Sequence, residues 1–193
     1  MEQNYWEGKT IEKTDFTLVK FQKGEYENCI FLNCNFLSTD LSHVKFVDCS
    51  FSSCNLSLAA LKDTGFINVK FKESKLLGLH FEHCNSFGLS FYFENCALNH
   101  SSFYKLKLKK TSFKTCQLHE VDFTECDLSQ SVFEKADLLN ATFENTLLEK
   151  ADMRGAVNYS IDPAMNKIKK AKFALSGISG LLDRYDIEIE STI

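Results

Sequence analysis

Residues 106–155, broken every five, read LKLKK TSFKT CQLHE VDFTE CDLSQ SVFEK ADLLN ATFEN TLLEK ADMRG. The third letter of each block is Leu108, Phe113, Leu118, Phe123, Leu128, Phe133, Leu138, Phe143, Leu148 and Met153. The same phase runs back to Phe103 and Leu98, then slips by two residues. Upstream it resumes as Phe16, Phe21, Tyr26, Phe31, Phe36, Leu41, Phe46, Phe51, Leu56, Leu61, Phe66, Phe71, Leu76, Phe81, Ser86 and Phe91, fifteen of sixteen large and apolar. Two residues before each centre the chain is mostly small, as at Cys29, Cys34, Thr39, Cys116, Ser131 and Ala136. The other three positions of each block are mainly polar. A helix repeats every 3.6 residues and a strand every two, so neither gives this pattern. A period of five requires a chain that turns a corner every five residues.

The pattern resembles the pentapeptide-repeat family, A-(D/N)-L-x-x, which Lys135-Ala136-Asp137-Leu138-Leu139 and Lys150-Ala151-Asp152-Met153-Arg154 match directly. The resemblance covers about residues 14–156. It implies an all-β fold, a right-handed quadrilateral parallel β-helix with four blocks per coil and the centre and small residues pointing inward. A narrow square interior suits one large and one small side chain per side. Some twenty-eight blocks then make seven coils, a rod of about 34 Å at ~4.8 Å per coil. The chain has one proline, Pro163, beyond the repeat, as an unbroken hydrogen-bond ladder requires.

The register decides what the reactive residues do. All eight cysteines, Cys29, Cys34, Cys49, Cys54, Cys84, Cys96, Cys116 and Cys126, fall in the small inward slot. Free cysteine serves there as a small hydrophobe. His80 and His83 face outward while Cys84 faces inward, so the three do not converge on a metal. No nucleophile–base set and no phosphate-binding glycine loop is present. The expectation is no enzyme, no metal, no cofactor and no small-molecule substrate. The absence of a basic, apolar leader and of any ~20-residue apolar run points to a soluble cytoplasmic protein without membrane contact.

The repeat breaks at 84–97, where two extra residues enter. A bulge in the wall accounts for this. An exposed aromatic patch for a partner, made of Phe87, Tyr92 and Phe93, is the alternative. Beyond a 1–156 repeat domain, residues 157–193 form a capping and dimerisation segment. Ile178, Leu181, Leu182 and Tyr185 make one stripe of a short helix with Ser176 as its N-cap, and Ile187 and Ile189 alternate with Glu188 and Glu190 as in a strand. Such a tail either folds over the last coil or packs on a second copy. The expectation is a C2 homodimer joined through it.

Net charge is −4, and since nucleic-acid-binding domains carry a basic face, the expectation is no nucleic-acid partner. Locally the signs separate. Residues 105–114 hold five lysines and no acid. Residues 119–152 hold Glu120, Asp122, Glu125, Asp127, Glu134, Asp137, Glu144, Glu149 and Asp152 against Lys135 and Lys150, a net of 2 − 9 = −7. By register all nine acids face outward. Within the family, stretches such as Ala156-Val157-Asn158-Tyr159 and Asp186-Ile187-Glu188-Ile189 resemble the albicidin-resistance, microcin B17-immunity and Qnr group. That resemblance implies a dimeric DNA mimic that binds DNA gyrase, or topoisomerase IV, and protects it from topoisomerase poisons. Glu120, Asp122, Glu125, Asp127, Glu134, Asp137 and Glu144 would face the enzyme's DNA groove. The alternative is a non-enzymatic scaffold for another cytoplasmic protein.

Overall fold

The computed structural model describes residues 4–190. The chain winds as a four-sided parallel β-solenoid in which residue i meets residue i+20, or i+22 across the break. The first side holds β1 (Tyr5–Glu7), β3 (Glu25–Glu27), β5 (Lys45–Val47) and β7 (Gly65–Ile67). The second holds β2 (Thr10–Glu12), β4 (Ile30–Leu32), β6 (Ser50–Ser52), β8 (Val69–Lys72), β9 (Phe91–Glu94) and β10 (Ser112–Lys114). Elsewhere the walls are single parallel bridges, apart from an antiparallel one between Ile67 and Leu89 at the break. Asp15, Asn35, Asn55, Lys75, Ala97, Gln117, Asp137 and Val157 run up the third side, and His80, Ser102, Asp122 and Thr142 up the fourth.

The second side runs from Ile11 to Phe31, Phe51, Phe71, Phe93 and Phe113, and bridges carry it on beside Phe133, Met153 and Phe173. Those eight steps span about 38 Å at ~4.8 Å each. The rod exceeds the 34 Å expected because the phase reaches back to Trp6 and Ile11 and forward to Ile168 and Phe173. Trp6 stacks on Tyr26 with ring centroids 4.4 Å apart.

Three local devices build each corner. The residue two after a centre takes left-handed backbone, as at Asn33 (φ 53°), Glu120 (φ 55°) and Lys150 (φ 60°), and this turns the chain. The Asp or Asn before the centre accepts the backbone N–H two residues on, as in Thr124 N to Asp122 at 2.8 Å and Ser42 N to Asp40 at 3.0 Å. That is an Asx turn, and it explains the D/N of the repeat. The small inward residue donates to the carbonyl twenty-three residues back, which belongs to the preceding block's centre one coil earlier: Ser131 to Leu108 (2.9 Å), Thr146 to Phe123 (2.8 Å), Cys49 to Tyr26 (3.3 Å). All eight cysteines are free and buried in this slot. Burial pushes the Cys49 thiol up to about 12, keeping it protonated at neutral pH.

The break is a loop confined to 85–90. Asn85 N still bonds Thr64 O, and Ser90 N reaches Phe66 O. Between them Gly88, at φ 69°, crosses the Ile67 side chain, and a Cβ there would lie 3.3 Å from it. Phe87 is thrown outward, 83% exposed. Phe93 corrects the expected patch: it is fully buried, the centre of its coil, stacked on Phe71 and Phe113. Phe91 is buried too and fills the interior that Ser86 vacates, against Phe66 and Phe81. Tyr92, between them, is half-buried in the wall.

The tail also differs from expectation. It forms 3-10 turns at Leu175–Leu181 and Asp183–Tyr185 rather than an α-helix. Ala174, not Ser176, precedes the first turn, and no side chain caps it. Gly177 and Gly180 are poor helix formers that let the segment lie directly on Tyr159. A Cβ at Gly180 would collide with the Tyr159 carbonyl oxygen. Leu181 packs on the core, Ile178 and Leu182 are half-buried, and Tyr185, Ile187 and Ile189 are exposed. Residues 187–190 pair with no strand among the described residues. Arg184 anchors the tail through Asp162. No helix among the described residues is long and apolar enough to cross a membrane.

Candidate functional site

The acidic segment does not make one face, because each successive block lies on the next side of the coil. Glu120 sits at the corner between the third and fourth sides. Asp122 and Glu144 lie on the fourth side, and Glu125 on the corner leaving it. Glu125 N bonds Glu144 O at 2.7 Å, which stacks these two rungs. These four carboxylates share one flank. Glu120 faces His100 at 3.2 Å and Glu125 faces Lys105 at 3.6 Å, each one coil below. Asp122 and Glu144 have no ion-pair partner among the described residues.

The other three predicted acids lie elsewhere. Asp127 is on the first side, its side chain 12% exposed and paired with Lys109 at 3.3 Å. Burial opposes its ionisation, but the Ser129 hydrogen bond and Lys109 outweigh that and hold the carboxyl below its usual range. Its outward placement is thus corrected: the carboxylate caps a turn and is largely covered. Glu134 is exposed on the second side. Asp137 is on the third side, bonded to His119 Nε2 at 2.8 Å and Asn158 at 2.8 Å. A linear charge sum does not see these partners, because they come from one coil away.

Near the loop a hollow of about 300 Å³ is lined by His43, Val44, Lys45, Asp63, Gly65, Ile67, Asn85 and Phe87. Gly65 leaves the floor open beside Lys45. Asn85 donates to Asp63 at 2.9 Å and ties the loop to the coil below. His80 and His83 stack on the outer wall with ring centroids 5.3 Å apart, while Cys84 is buried.

Comparisons with known proteins bear on this geometry. A search of curated protein sequences found no match. Among solved structures, a trypsin-treated form of QnrB1, described as a plasmid-mediated fluoroquinolone resistance protein, superposes with a TM-score of 0.63 at 19% identity, covering 96% of this chain and 97% of that one. HetL from the cyanobacterium Nostoc, described as involved in heterocyst differentiation regulation, gives a TM-score of 0.46 at 14% identity over 88% of this chain and 85% of that one. The first of these similarities shows the solenoid fold. The family model for the pentapeptide repeat region matches residues 19–91 and 78–153. With the twenty-residue coil, its inward centres and its Asx corners in place, the chain belongs to the pentapeptide-repeat family.

Proposed function

We propose that this protein is a non-enzymatic DNA mimic that binds DNA gyrase, or topoisomerase IV, in the cytoplasm and protects it from topoisomerase poisons. The observation that carries the reading is the acidic flank of Glu120, Asp122, Glu125 and Glu144 on a straight, laddered rod. A duplex presents one negative charge per ~1.7 Å of axis, and a basic groove evolved to hold it attracts a rod with carboxylates at fixed spacing. The fold it shares with a fluoroquinolone resistance protein supports the same direction. Tyr185, Ile187 and Ile189 supply an apolar surface through which two copies join, placing both acidic segments near the middle of the dimer.

The test is gyrase supercoiling with a titrated fluoroquinolone, together with binding at low salt. Glu120→Lys, Glu125→Lys and Glu144→Lys combined reverse the flank without removing an Asx cap. Loss of binding and protection is expected. A wild-type protein that neither binds gyrase at low salt nor shifts the drug's inhibitory concentration would sink the proposal. A scaffold for another protein is the second reading. Phe87, exposed beside the 300 Å³ hollow, favours it and would be its contact.

A further inference from the structure

The coil places a second charged feature on the opposite corner from Glu120. At the corner between the first and second sides the left-handed positions stack as Lys110, Gln130, Lys150 and Lys170, since Lys110 N bonds Ser129 O, Gln130 N bonds Glu149 O and Lys150 N bonds Lys169 O. Beside them on the first side, the bridges Lys107–Asp127, Asp127–Leu147 and Leu147–Lys167 put Lys107, Lys167 and Lys169 on the same wall. All six lysines are exposed, and none has an ion-pair partner among the described residues. The acids on this wall are Asp127, already held by Lys109, and Glu149.

We infer that this lysine edge binds the phosphate backbone of duplex nucleic acid. Lys110 to Lys170 spans three rungs, about 14 Å at ~4.8 Å each. Over that length a duplex offers roughly eight phosphate charges. The ammonium groups stand on a laddered wall, so little of it must be ordered on binding. No aromatic side chain lies on these columns between 107 and 170, so the edge has nothing on which unpaired bases stack. Lysines on a flat wall contact phosphates and do not read sequence. The chain-average charge of −4 points away from nucleic acid, but the coil sorts the charges so that this corner is basic while the diagonal corner is acidic. The inference is independent of the gyrase reading.

Asparagine already occupies the equivalent left-handed corner at Asn140 (φ 57°) and Asn145 (φ 52°), so Lys110→Asn, Lys150→Asn and Lys170→Asn together preserve the turn. The test is fluorescence anisotropy of the full chain with a labelled duplex of mixed sequence, between about 50 and about 200 mM salt. Salt-dependent binding is expected, and the slope of log K against log salt should fall by about 2.7 in the triple variant, at about 0.9 for each phosphate no longer neutralised. Unchanged circular dichroism confirms that the variant is folded. Absence of duplex binding at the lowest salt overturns the inference, as does an unchanged slope in the triple variant. Binding to polyglutamate or to phosphatidylserine vesicles as tight as to the duplex also overturns it, in favour of an acidic protein or a membrane surface.

Discussion

The Phe93 ring lies parallel to Phe71, centroids 5.5 Å and planes 10° apart, although twenty-two residues separate them, as they do Phe81 and Phe103 across the same break, where the stacked core pairs Phe51–Phe71 and Phe93–Phe113 on either side are separated by twenty. The ladder therefore re-forms across the loop, and Phe93 carries it. Phe93→Ala should cost about 3–5 kcal/mol, the range for emptying a core aromatic site. Phe87→Ala, at the exposed loop tip, should stay within about 0.5 kcal/mol of wild type. Urea unfolding of the two variants checks the pair, and equal losses would contradict the placement of the loop.

Acid should weaken the coil through its depressed carboxylates. The hydrogen bond from Lys23, then that from Ser42, holds the Asp40 carboxyl at about 2, against about 3.9 in an unfolded chain. A folded value below the unfolded one means the stabilisation is complete above about pH 4 and is lost as pH falls through about 2. Asp40→Asn keeps an oxygen for the Ser42 N–H and removes the titration. Its stability should decline less steeply than wild type between pH 4 and pH 2, measured by thermal melts.

The tail covers the last coil and, in the proposed dimer, would also join two copies. Gly180→Ala forces a side chain against the Tyr159 carbonyl and should release the segment over the last coil, seen as faster amide exchange at 174–182. Ile187→Asp with Ile189→Asp leaves that cap in place and should convert a dimer to a monomer by light scattering. Leu181→Asp disturbs both and is the less informative variant, because Leu181 packs on the core.

The cysteines should be inert in the folded state. With every thiol buried, alkylation at neutral pH should track unfolding rather than thiol reactivity. Mass spectrometry after brief iodoacetamide treatment should find unmodified protein under native conditions and eight adducts in guanidinium.

The inward pattern was legible because one side chain in five must fill the square interior, so Phe103, Phe113 and Phe123 announce themselves. The break was legible only as a count. Sequence spacing places two extra residues somewhere before Leu98, but two phenylalanines two apart, Phe91 and Phe93, both satisfy an apolar site. Packing against Phe71 and Phe66 decides that both go in and Phe87 goes out. The acidic site was legible as composition and not as a surface. Asp122 and Asp127 are five residues apart in sequence yet lie on adjacent sides, one open and one covered by Lys109. The helical stripe at 178–185 misled because Gly177 and Gly180 were needed for contact with Tyr159, and that contact is invisible to periodicity.

The two ends of the rod are unlike. At the C-terminal end Tyr159, Gly180 and Leu181 close the interior, whereas at the other end Trp6, Ile11, Phe16 and Phe21 border an open hollow of about 330 Å³. Synthesis makes the open-ended coil before the segment that closes the other end, so each new coil can settle on a finished one. Assembly then has a direction, from an early template towards a late seal. In a mature rod loss of structure should run the same way, with the first coil fraying before the sealed end.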